Sequence, residues 1–141
     1  MPMYLVGFPL LLIPVALYNI VAFLFRTDMG TTLFTVRMMS GGEWAVSISD
    51  VLLVIGILML FVEILKSTRI GNRSIVDHML SLVLLLVMLA EFIMVRAAAT
   101  STFFLLSAMS LVDVVAGFTI TIRTAQRDIG IDAVESLKQS S

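Results

Sequence analysis

Cysteine is absent from the 141-residue chain, which excludes disulfide scaffolds, thiolate metal centres and thiol nucleophiles together. Charge is scarce as well. Only 13% of the residues are Asp, Glu, Lys or Arg, and nine basic against ten acidic side chains leave a formal charge of −1. That balance supplies no basic footprint, so nucleic acid is not an expected partner. A single histidine leaves no imidazole pair for b-type haem and, without cysteine, only a poor ligand set for zinc. The phosphate loop, the dinucleotide fingerprint, the H-E-x-x-H helix and the G-x-S-x-G elbow are missing too, so neither a cofactor nor an enzyme is expected.

What remains is grease: 60% of the residues are hydrophobic and the mean hydropathy is +1.09. A hydrocarbon core about 30 Å thick takes roughly 20 apolar residues in helical form, because lipid offers no partner to an unpaired backbone group. Four stretches meet that length, Met3 to Phe25, Ile48 to Leu65, Ile75 to Val95 and Thr102 to Ile122. They predict an all-α membrane protein: one domain built as a four-transmembrane-helix bundle, with helices at about 3–25, 48–66, 75–96 and 102–123 and a polar tail over 124–141. The first stretch has no Lys or Arg ahead of it and no A-x-A site behind it, unlike a secretory signal.

Lys66, Arg69, Arg73, Arg123, Arg127 and Lys138 would fall on one side of such a bundle, and Arg26, Arg37 and Arg96 on the other. Six against three predicts both termini in the cytoplasm. The long first loop, then outside, holds two β-prone runs around Ser40-Gly41-Gly42, which predict a β-hairpin over about 31–49. Its open edges would lie on the bundle or pair with another chain. Gly71 is expected to end the second helix, Ser74 with Asp77 to cap the third, and Pro14 to kink the first. Trp44, Tyr4 and Tyr18 read as interface aromatics. In the tail, Val134 and Leu137 allow an amphipathic turn or two.

A charge at the bilayer centre costs about 2.5–3.5 kcal/mol on insertion scales, so each ionisable group inside a span requires a reason. Asp113 falls halfway along the fourth stretch, with Ser110, Gly117 and Thr121 on its face. Glu91 falls in the outer half of the third and Glu63 in the inner half of the second, which sets three carboxyls at three depths. A ladder of that kind fits a proton or cation path. Equally, each acid fits a hydrogen bond across helices, to Asn19, Ser81 or Ser107, that fixes the register of the bundle. Lys66 follows Glu63 by one turn and is expected to pair with it while extending to the interface. Asp77 shares a face with Glu91, and Arg96 anchors the outer interface. His78 is expected at the cytoplasmic boundary, touching solvent, rather than as a ligand.

The stretches VEILKSTRIGNRSIVDHML, at Val62 to Leu80, and TSTFFLLSAMSLVDVVAGFTITIRTAQRDIGI, at Thr100 to Ile131, resemble a family of small four-helix bacterial inner-membrane proteins with no assigned activity. The resemblance implies a place in the bacterial inner membrane and carries over no site residue. Small multidrug exporters match in size but keep an essential Glu in their first helix, where this chain has none. Claudin-like proteins share a β-rich outer loop but have the paired cysteines missing here. Two functions fit the chain. One is a non-enzymatic accessory or assembly subunit that packs in the lipid bilayer against other membrane subunits or its own copies. The other is an oligomeric conduit for protons or cations that uses Asp113, Glu91 and Glu63.

Overall fold

A computed structural model describes residues 8–68 and 72–140, without the side chains of residues 72–74, 124 and 128. Three helices are long and apolar enough to cross a membrane: α2 (Ile48–Ser67), α3 (Asn72–Met94, over Ile75–Met94) and α4 (Ser101–Ser140). No more than 39% of the most apolar stretch of any of them is buried inside the chain, so most of their apolar surface faces outward. Water would penalise that arrangement and lipid does not. The molecule is a small, multi-pass helical membrane protein.

The expected fourth span is not found among the described residues. The first helix, α1, is α-helical over Leu12–Asn19, eight residues, and continues as a wider π turn over Ile20–Leu24, five more. At about 1.5 Å per residue those thirteen reach about 20 Å, well short of a 30 Å hydrocarbon core. Hydropathy marked where the chain is greasy, not where a helix starts. Pro14 occupies the first turn, where its missing N–H costs nothing, so it opens the helix instead of kinking it. Residues 3–7 of the expected helix, with Tyr4, lie outside the described residues. Placing both termini on one side required an even number of crossings, and three qualifying helices remove that parity.

Between α1 and α2 the chain forms the antiparallel hairpin of β1 (Thr32–Arg37) and β2 (Glu43–Ser47), with Phe34 opposite Val46, Thr35 opposite Ala45 and Val36 opposite Trp44. Gly41, at φ 88°, supplies the left-handed residue of its turn. Ser47 ends β2 and caps α2, accepting from the Asp50 N–H at 3.2 Å while its own N–H donates to the Asp50 carboxylate at 2.9 Å. At the far end of α2, Gly71 lies outside the described residues. α3 begins at Asn72, so Ser74 sits inside it rather than capping it, and its side chain is also outside the described residues. A short 3-10 turn (Arg96–Ala98) joins α3 to α4.

Beyond the span, α4 runs unbroken to Ser140, where the sequence led us to expect a turn or two. Ala125, Gln126, Arg127, Ala133, Glu135, Leu137 and Lys138 are strong helix formers, and the one glycine among them, Gly130, costs only about 1 kcal/mol.

α4 packs against both α2 and α3, and α1 lies across α2 and α4. The interior divides into two layers. Towards the hairpin it is apolar, built from Leu11, Val15, Tyr18, Leu52, Met88, Phe103 and Leu106. Tyr18 and Phe103 meet edge to face at 5.0 Å, and Phe92 stacks on Phe103 at 6.5 Å. Towards the tail the interior is polar, and Glu63, Lys66, Ser67, His78, Ser81, Ser110 and Asp113 are all buried there.

Candidate functional site

The polar layer gathers side chains from all three long helices. α2 supplies Glu63, Lys66 and Ser67, spaced so that one helical face carries them, and α3 supplies Asp77, His78 and Ser81. α4 supplies Ser110, Asp113, Gly117 and Thr121, the same-face series that the sequence indicated. Glu63 and Lys66 form the expected pair at 3.1 Å, but neither reaches an interface, since they are only 4% and 5% exposed. Their remaining bonds explain why. The Leu10 N–H donates to Glu63 Oε1 at 2.7 Å, and Lys66 Nζ donates to the Phe8 carbonyl at 2.9 Å. Ahead of α1 the chain is not yet helical, and the ion pair satisfies one donor and one acceptor there. A carboxylate at a helix N-terminus is also favoured by the helix dipole.

His78 is buried rather than solvent-touching. Its Nε2 lies 2.6 Å from Thr121 Oγ1 and its ring centroid 5.5 Å from that of Phe118. Glycine at position 117 makes this possible, because a Cβ there would stand 2.8 Å from the imidazole. Asp113 lies close to Ser81 and within electrostatic reach of Glu63, Lys66 and Asp77. Ser67 donates back to the Glu63 carbonyl at 3.1 Å. Between Glu63, Lys66, Ser67, Asp77 and His78 remains a cavity of ≈ 10 Å³, the room one water occupies. Asp77 Oδ1 and Ser110 Oγ are buried without a hydrogen-bond partner among the described residues.

Thus Glu63, Lys66, Asp77, His78 and Asp113 are brought together, with Ser110 three residues from Asp113 on the same helix. Glu91 and Asn19 are not. Glu91 is half-buried near the hairpin end, within electrostatic reach of Tyr18, and Asn19 sits beside Tyr18 on α1 with its Oδ1 buried and unpartnered among the described residues. Tyr18 itself is a core residue rather than an interface aromatic. Its hydroxyl donates to the Ala97 carbonyl at 2.7 Å and stands 2.7 Å from Thr100 Oγ1, and burial pushes its phenol above the usual tyrosine range. Sequence reasoning missed the partners contributed by backbone, Phe8, Leu10 and Ala97, which no residue type announces. It also missed Ser67, although a serine one turn after Glu63 was a visible signal.

Among the described residues, no three His, Asp or Glu side chains are grouped so as to hold a metal ion. Chemically, the centre can fix helix register and hold or exchange a proton. No protein family, curated protein or solved structure matches the chain, so the small bacterial inner-membrane family stays a resemblance of two stretches.

Proposed function

We propose that this chain is a non-enzymatic accessory or assembly subunit of a bacterial inner membrane, seated against a transmembrane helix of another subunit. One observation carries this reading, the two-faced hairpin. Its register puts Phe34, Val36, Trp44 and Val46 on one face, and Thr35, Arg37, Glu43 and Ala45 on the other. The apolar face leads into a groove of ≈ 190 Å³ between Trp44, Val46 and the α2 residues Val51, Val54 and Ile55. Sheet face and helix flank therefore form one continuous apolar surface. A lone two-stranded hairpin is marginal in water, and a neighbouring helix would cover both parts at once.

Trp44 is the sole tryptophan, so its fluorescence reads the groove directly. Extracted from its own membrane in mild detergent, the protein should run as a complex larger than a monomer, with Trp44 shielded from brominated lipid. Phe34→Glu should release a monomer whose Trp44 is quenched. A wild-type chain that leaves the membrane as a monomer would overturn the proposal.

A second reading, an oligomeric proton or cation conduit, is favoured by the meeting of Glu63 and Asp113 in one buried centre. Glu91 would have to join from the hairpin end. Flux into liposomes that is lost in Asp113→Asn supports the conduit, and absence of flux beside an intact complex supports the accessory role.

A further inference from the structure

One cavity has no part in the polar centre or in the groove at Trp44. It lies at the hairpin end, holds ≈ 350 Å³, and is lined by Tyr18, Arg26, Thr27, Asp28 and Thr100 with small alanines between them. That volume falls within the range of small-ligand sites, about 300–1,000 Å³. One cation and one anion line it, Arg26 and Asp28, and they do not pair with each other. The ion pair of the bundle, between Glu63 and Lys66, lies far from them. Arg26 is also the one non-glycine residue there with a left-handed backbone, at φ 50°. That conformation is held between the Phe25 N–H bond to the Ile20 carbonyl and the Thr27 N–H bond to the Val21 carbonyl, both 3.1 Å. Asp28 accepts the Gly30 N–H on Oδ1 at 3.0 Å, which orients the carboxylate and leaves Oδ2 open.

We propose that this cavity binds a phosphoethanolamine zwitterion, the headgroup of a phospholipid, with its phosphate on Arg26 and its ammonium on Asp28. A guanidinium matches phosphate with paired donors, and an oriented carboxylate matches ammonium. Net charge also agrees, since a neutral zwitterion meets a lining that sums to zero. Position argues for lipid. Ala97 and Thr100 lie where α3 has ended and α4 begins, which is the headgroup level for these spans. Beside the cavity, Leu24 and Phe25 are 73% and 66% exposed, an apolar shoulder for acyl chains. The proposal does not depend on the partner helix.

The test is native mass spectrometry of the full chain in detergent, titrated with phosphatidylethanolamine or phosphatidylglycerol of the same acyl chains. Phosphatidylethanolamine should bind about tenfold more tightly, the worth of one charge-assisted hydrogen bond. Arg26→Gln should weaken both lipids. Asp28→Asn, which keeps the Gly30 acceptor, should weaken only phosphatidylethanolamine and so erase the preference. Arg37→Gln, on the hairpin and outside the cavity, should change nothing. Circular dichroism and Trp44 emission report whether each variant has folded. Free O-phosphoethanolamine separates the sources: if it displaces the lipid, the headgroup chemistry suffices and a soluble phosphoester can fill the site, and if it does not, the lipid is the ligand. Equal binding of the two lipids, or an Arg26→Gln variant with wild-type affinities, overturns the proposal.

Discussion

Glu63 with Lys66, and Arg26 with Asp28, are each an acid and a base within one turn of sequence, yet the fold treats them oppositely. The first couple is sealed in the bundle, closed to 3.1 Å and bonded to the backbone of α1, whereas the second lines an open cavity without closing. Burial makes the difference. Away from water an unpaired charge is intolerable, so the inner couple is consumed by structure, while the outer one can stay apart and meet something else.

Breaking the inner couple should therefore give the largest effect. Glu63→Ala leaves Lys66 buried without its counter-ion and should cost about 3–5 kcal/mol, measured by unfolding in detergent. Glu63→Gln with Lys66→Met, which keeps an acceptor for Leu10 and removes both charges, should recover most of that loss. A smaller loss, about 1–3 kcal/mol, is expected for Gly117→Ala, whose methyl would enter the His78 ring. Pairing it with His78→Ala should relieve the strain, and if it does not, the close approach is not what requires glycine. At the hairpin end, Ser47→Ala removes the cap of α2 and should cost about 1 kcal/mol without altering the polar centre. The smallest effect has the opposite sign. Gly130→Ala, in open space on the tail of α4, should raise helicity by circular dichroism and stabilise that helix by about 0.5–1 kcal/mol.

Much of this was legible in the residues. Three spans follow from apolar length, the hairpin from β-prone runs around Gly41, and the Glu63–Lys66 pair from a one-turn spacing. The same-face series around Asp113 was readable too. The first span was overcalled because hydropathy is blind to where backbone bonding begins, and Pro14 read as a kink only because the helix was drawn from Met3. Lys66 was sent towards an interface because its long stem allows it. Its second partner beside Glu63, the Phe8 carbonyl, is a main-chain atom 58 positions away that no side-chain pattern encodes. His78 was assigned to the boundary from its place in sequence, although α4 rises past it and buries it against Thr121. The cavity at Arg26 depends on a left-handed backbone at one arginine, which composition does not foretell.

The length of α4 ties distant events together. One unbroken rod of 40 residues, about 60 Å, carries Asp113, Gly117 and Thr121 nearer its start and the exposed Ile129, Val134 and Leu137 nearer its end. No glycine lies between Thr121 and Ile129, and Gly130 is the first soft joint beyond them. Torque applied to α4 ahead of Gly130 is thus delivered to the His78–Thr121 contact as rotation of the same shaft.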